Sequence, residues 1–108
     1  MSQNVRIVQY PDSWEEPKFN QFYREVEELA KADVSIILLD FKNITFISSS
    51  GLMGLVEIFR LIRSAGCQLF ICSVSEQVRM LFELTGLDRV FDVFASVDEF
   101  NRSMLIKK

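Results

Sequence analysis

Three consecutive serines, Ser48, Ser49 and Ser50, are the residues of this chain best placed to do chemistry. They follow an apolar run, Ile36 to Phe41 and then Ile44 to Ile47, and precede an amphipathic pattern starting at about Gly51. That order reads as buried strand, serine turn, helix. Backbone N–H groups in the first turn of a helix have no partner inside the helix, so a hydroxyl there can cap them. A phosphate on such a hydroxyl meets the positive end of the helix dipole. The chemistry implied is phosphorylation of a serine, used as a switch. Catalysis is disfavoured because the chain has no histidine, which removes Ser-His and Cys-His pairs and the common zinc sets. Gly51-Leu52-Met53-Gly54 lacks the lysine and the spacing of a phosphate-binding loop. The chain therefore reads as a non-enzyme without a cofactor or metal.

The elements that must position the serines follow from periodicity. Val5 to Tyr10 reads as a strand stopped by Pro11-Asp12-Ser13, and Trp14 to Glu16 as a loop. Pro17 suits a first helical turn, and Phe19, Phe22, Tyr23, Val26, Leu29 and Ala30 recur at helical spacing to about Lys31. Ser35 to Phe41 is nearly continuous in apolar residues, as in a strand covered on both faces. The helix after the serines runs to about Ser64, with Gly66 at its C-terminal cap. Leu69 to Val74 is a further central strand. Ser75 caps a short helix that Gly86 ends, Val90 to Phe94 is a last strand, and Ser96-Val97-Asp98-Glu99 has capping-box form before a final helix. Strand and helix alternate throughout, which predicts an α/β domain with a mostly parallel sheet and right-handed crossovers.

Composition limits the partners. A chain of 108 residues reads as one domain, 1–108, and 49% hydrophobic residues suit a packed core. A net charge of −3 with no cluster of Lys and Arg argues against nucleic acid. No apolar run approaches the roughly 20 residues of a membrane span, and the first residues lack a signal-peptide pattern, so a soluble, cytoplasmic protein is expected. Cys67 and Cys72 bracket a strand at an odd separation. They should point to opposite faces as buried thiols, too far apart for a disulfide. Seven phenylalanines (Phe41, Phe46, Phe59, Phe70, Phe82, Phe91, Phe94) read as core filling. Asp40, at a strand end, is expected to bond nearby backbone N–H groups and shape the turn before Asn43.

On a helical wheel Leu52, Leu55, Val56, Ile58, Phe59 and Ile62 form the arc expected to face the sheet. Glu57, Arg60 and Ser64 lie opposite. Met53, Gly54 and Leu61 border the polar side, either as scattered surface apolars or as a shallow docking patch. Trp14 reads either as a lid on the first helix or as an anchor for a partner.

The stretch Leu38-Leu39-Asp40-Phe41-Lys42-Asn43-Ile44-Thr45-Phe46-Ile47-Ser48-Ser49-Ser50-Gly51-Leu52 resembles the signature of STAS domains, the fold of bacterial anti-sigma factor antagonists. Ser75-Glu76-Gln77-Val78-Arg79-Met80-Leu81-Phe82-Glu83-Leu84-Thr85-Gly86-Leu87 resembles the family's later helix and Thr/Ser-Gly-Leu segment. The resemblance runs from about Ile36 to Phe100 and implies a STAS-like α/β fold. The sheet would be mostly parallel or mixed, with about four strands and about four helices over it, and room for the loss of one N-terminal strand, because Pro11-Asp12-Ser13-Trp14 replaces the usual Gly-x-Leu-Asp turn.

It also implies partner switching. In that family an unphosphorylated antagonist binds an anti-sigma factor that is also a serine kinase, phosphorylation of the first serine after the motif Asp releases it, and a PP2C-type phosphatase resets it. Carried over, the phosphoacceptor is Ser49. The partner-facing set is Asp12, Trp14, Ser50, Gly51, Met53, Gly54, Glu57 and Leu61. The motif Asp is Ser48 here, so Ser48 and Ser50 compete as acceptors. The same departure keeps open a phosphorylation-independent STAS subunit of a transporter or another complex. Oligomeric state is not legible.

Overall fold

The computed structural model describes residues 4–12 and 15–106. Its elements in order are β1 (Val5–Gln9), α1 (Glu16–Lys31), β2 (Ile36–Asp40), α2 (Ser49–Ser64), β3 (Gln68–Cys72), α3 (Glu76–Thr85), a 3-10 turn (Leu87–Arg89), β4 (Asp92–Phe94) and α4 (Val97–Ile106). The four strands lie in chain order, β1-β2-β3-β4, and every neighbouring pair is parallel. The expected α/β alternation holds, and the sheet is wholly parallel.

Chain order in the sheet has a consequence for the helices. Each crossover steps in the same direction, so one handedness sends α1, α2 and α3 to the same face. Phe22 and Val26 of α1, Leu55, Ile58 and Ile62 of α2, and Val78 and Phe82 of α3 accordingly share a core with Ile37, Leu39, Leu69 and Ile71. The alternate strand residues Ile36, Leu38, Phe70 and Cys72 face the other way, under Phe100 of α4. Every residue of β2 is buried, as its unbroken apolar run requires. Cys67 and Cys72 fall in the two different cores, as their odd spacing predicts.

Helix ends are set by local chemistry. Ser48 is the N-cap of α2: its Oγ accepts from the Gly51 N–H at 3.1 Å. The helix therefore begins at Ser49, two residues before the glycine at which the sequence pattern starts it. Gly66, just past α2, and Gly86, at the end of α3, adopt φ of 84° and 79°, the left-handed region that terminates helices. Ser75 caps α3, its Oγ accepting from Val78 N–H at 3.2 Å. At α4, Ser96 Oγ accepts from Glu99 N–H, while the Glu99 carboxylate accepts from Ala95 N–H, one residue earlier than an ideal capping box.

Two sequence expectations fail beyond β2. Ile44 to Ile47 does not form a strand. The Asp40 carboxylate accepts from Lys42 N–H at 2.9 Å, and Ile44 N–H donates to the Phe41 carbonyl at 2.9 Å. This turn ends the strand and leaves 41–48 as a loop. Along that loop Ile44 and Ile47 are buried, while Thr45 and Phe46 point out. Phe46 is thus not core filling but 73% exposed.

Two outcomes check these statements. Ser48→Ala is expected to lower stability in urea by about 1 kcal/mol, with Ser48→Asp close to wild type, since either a hydroxyl or a carboxylate can cap. Cys67 and Cys72 are buried and desolvation raises the pKa of both thiols. A thiol reagent at mildly alkaline pH should label neither cysteine in the folded protein and both in guanidinium.

Candidate functional site

The serine turn sits at the carboxyl ends of the strands, where open α/β sheets usually place their sites. Three attachments hold it. Phe41 N–H donates to the Cys72 carbonyl at 3.0 Å, tying the start of the loop to β3. The Ser75 hydroxyl donates to the Thr45 carbonyl at 3.0 Å, tying its middle to the start of α3. The third joins α2 itself to β1: the Tyr10 hydroxyl donates to the Gly51 carbonyl at 3.0 Å.

Tyr10 follows β1 and is buried. Its ring stacks on Phe41 with centroids 4.4 Å apart and planes 8° apart, and meets Phe22 edge-on at 5.5 Å. Burial pushes its phenol far above the usual range, so it stays a neutral donor at any physiological pH. Gly51, lacking a side chain, is buried in the first turn of α2 and offers its carbonyl to this donor. Sequence reasoning placed Gly51 in the motif but missed Tyr10. The only signal was an aromatic with a hydroxyl at a strand end.

The three serines are not equivalent. The Ser48 hydroxyl is committed to the cap. Ser49 and Ser50 open the helix, are exposed, and their hydroxyls make no hydrogen bond among the described residues. The first turn of α2 carries no acidic residue, so no fixed carboxylate there opposes an added phosphate. Ser49, Met53 and Glu57 are spaced by four and fall on one line along the outer face of α2, all exposed. Met53 is 66% exposed. With Phe46 on the pinned loop just before the cap, the serines have an exposed apolar residue on either side in the chain.

The rest of the expected partner surface divides. Gly54 is buried and Leu61 is partly buried against the core, so neither belongs to an exposed patch. The Phe59 ring meets that of Phe91 at 5.3 Å, which turns one flank of α2 toward β4. Gly54 and Leu61 lie on the opposite flank, toward α1, beside which α2 packs. Asp12 is exposed, two residues after Tyr10. Trp14 lies outside the described residues.

Other chemistry is thinly represented. Among the described residues no group of three or more His, Cys, Asp or Glu is placed to hold a metal. No helix among them is long and apolar enough to cross a membrane. Among the described residues Ser73 is the one non-glycine with positive φ, at 63°, where β3 gives way to the turn into α3. Its N–H donates to the Phe94 carbonyl, which holds the strained residue in place.

Comparison with known proteins agrees with this architecture. An anti-sigma F factor antagonist of Paenibacillus polymyxa is 28% identical over 68 residues, covering 63% of this chain and 58% of that protein. The chain thus matches little more than half the length of that relative. The STAS domain of a SulP transporter from Vibrio cholerae superposes with a TM-score of 0.80 at 12% identity, over 100% of this chain and 88% of that one. The anti-sigma factor antagonist SpoIIAA in its unphosphorylated form gives 0.74 at 16% identity, over 95% and 90%. At those identities the two structures speak to fold alone. A model of the STAS domain matches residues 4–100, nearly the whole described chain, and with the parallel sheet, the capped serine turn and the helices above it this places the protein in the STAS domain family.

Proposed function

We propose that this chain is a partner-switching regulator of the anti-sigma factor antagonist type. Unphosphorylated, it binds an anti-sigma factor that is also a serine kinase, through the outer face of α2 and the loop before it. Phosphorylation of Ser49 ends that complex, and a PP2C-type phosphatase restores it. The domain, 1–108, acts in the cytoplasm by binding, without catalysis of its own. The relative named an anti-sigma F factor antagonist supports the class.

The observation that carries the choice of Ser49 is the division of labour among the serines. Ser48 has its hydroxyl in the helix cap. Ser49 is exposed, its hydroxyl makes no hydrogen bond among the described residues, and it shares a line with Met53 and Glu57. A phosphate there adds roughly −1.5 to −2 charges at the head of that line. It would have to be desolvated beside Met53 and would face Glu57 along the same stripe. The bound state loses stability, while the folded domain tolerates the charge at its helix N-terminus.

Met53 and Phe46 are the apolar contacts of this surface, with Ser50 and Glu57 as its polar part and Asp12 at its margin. Phe46 replaces Gly54 and Leu61 in the set expected from sequence. A second reading rests on Ser48, which supplies the cap without the carboxylate of the family motif. The chain would then be a constitutive STAS subunit of a transporter or another complex, with no phosphate cycle.

Phosphosite mapping on protein recovered from its own cells separates the two. The peptide Asn43 to Arg60 carries Thr45, Ser48, Ser49 and Ser50, and fragmentation assigns the phosphate. Partial occupancy at Ser49 is expected. Phosphate solely on Ser48 or Ser50 would show that the acceptor is wrong. No phosphate under any growth condition, with a stable partner still recovered, would favour the constitutive subunit. In pull-downs Ser49→Asp should weaken partner capture about tenfold or more and Ser49→Ala should not. Phe46→Ala should cost about 1–3 kcal/mol of binding and almost nothing in folding stability.

A further inference from the structure

The outer edge of β1 is a second, unassigned surface. Asn4 accepts from Ile36 N–H through its carbonyl, and Tyr10 N–H donates to the Asp40 carbonyl. Both groups aim at β2. Backbone direction alternates along a strand, so Arg6 and Val8 share that aim, and the N–H and C=O groups of Val5, Ile7 and Gln9 point away from the sheet. Among the described residues no strand pairs with this side of β1. The strand carries no proline, and its one charged residue, Arg6, turns its guanidinium back along the strand to Asn4 Oδ1 at 2.9 Å and the Val5 carbonyl at 3.4 Å. The opposite edge, β4, is only three residues long.

Ile7 stands at the centre of the open edge. It registers with Leu38, whose side chain is fully buried under the α4 face, yet Ile7 itself is 53% exposed. Nothing on the outer side of the strand covers it among the described residues.

We infer that this edge pairs with the same edge of a second copy of the chain. The segment is self-complementary. A twofold axis through Ile7 sets two β1 strands antiparallel, with Ile7 opposite Ile7 and Val5 opposite Gln9. All three of these are hydrogen-bonded positions, so every outward N–H finds an outward C=O, six bonds in all by alternation, the Val5 carbonyl accepting its new bond beside the long one from Arg6. Between them Arg6 lies opposite Val8, so no two like charges oppose each other directly. The paired Ile7 side chains cover one another on the α4 face. The product is a continuous eight-stranded sheet, twice the four strands of one copy.

A second copy fits better than an unrelated strand because the edge supplies both halves of the bonding pattern and its own apolar centre. The interface is small, one strand from each copy, which places it among weak, reversible associations. The serine turns lie at the carboxyl ends of the strands. Antiparallel pairing sends the two turns to opposite ends of the dimer, where both stay accessible. The pairing is thus independent of which serine is modified.

The test is sedimentation equilibrium on the full chain up to about 1 mM, a range that covers weak complexes, with residue-resolved amide exchange by NMR. The wild type should show a concentration-dependent dimer. The amides of Val5, Ile7 and Gln9 should gain protection as concentration rises, while those of Arg6 and Val8 stay protected throughout. Ile7→Pro removes only an outward N–H, so it should leave the β1–β2 ladder intact and weaken the dimer at least about tenfold. Ile7→Lys, which sets two charges face to face, should do the same without a backbone change. Unchanged circular dichroism and melting confirm that both variants fold. A wild type that stays monomeric throughout the range overturns the proposal. So does a dimer insensitive to both variants, or protection of Ile7 that follows only the addition of a different protein.

Discussion

The hydrogen bond from Tyr10 to the Gly51 carbonyl is the constraint on which the candidate site depends. It joins the end of the first strand to the first turn of the second helix, 41 residues apart in sequence. A buried hydroxyl without a partner is costly, so the bond is close to obligatory once the ring is packed between Phe41 and Phe22. Packing fixes the ring, the ring fixes the hydroxyl, and the hydroxyl fixes the height of α2 over the sheet. The serines at the head of α2 inherit that position. An exposed serine proposed as a phosphoacceptor needs surroundings that do not drift. Here its first turn is tied to β1 and its approach loop to β3 and α3.

Ser48 shows how a motif position can keep one role and drop another. The STAS pattern has an aspartate there, and a carboxylate at an N-cap does two things. It satisfies orphan N–H groups and it places a negative charge on the helix dipole. The hydroxyl of Ser48 does the first at 3.1 Å from Gly51 N and leaves out the second. The first turn of α2 holds no other acid, so the site before modification is less negative than the family pattern implies. A phosphate on the proposed acceptor Ser49 would then be the dominant local charge and not an addition to one. Under the proposed cycle the contrast between the two states would be larger for it.

Much of the fold was legible because its punctuation is local. Ser75, Gly66, Gly86 and the turn-forming Asp40 act within a few residues of themselves, and each is found in its expected role. The alternation of strand and helix gave the class for the same reason. What failed depended on neighbours distant in sequence. Gly54 and Leu61 sit outside the sheet-facing arc of the wheel, yet α2 has α1 beside it as well as the sheet beneath, and Gly54 is buried and Leu61 half-buried. Phe46 failed in the opposite sense. Its type says core, but once Asp40 ends the strand the chain buries every third residue, Ile44 and Ile47, and turns Phe46 outward. Tyr10 went unread because its hydroxyl partner lies in another element and in the backbone, where no side-chain pattern can announce it.

The order of the strands also explains why the molecule offers surfaces of different character. Crossovers of one hand crowd three helices onto one face and leave the other to α4. The serine turn is built at the head of α2 on the crowded face. An open parallel sheet wound this way must still end in two edges. At β4 the fold limits the hazard by shortness, with Phe94 packed between Phe70 and Phe100. At β1 it does so less, because Val5 and Val8 are needed by the cores on either side and Ile7 stays apolar between them, with Arg6 as the strand's one charge. The residues that secure β1 to the sheet are thus the ones that leave its outer edge open. The same strand therefore has two sides of different use: its carboxyl end, through Tyr10, anchors the first turn of α2, while its outward N–H and C=O groups face away from the sheet.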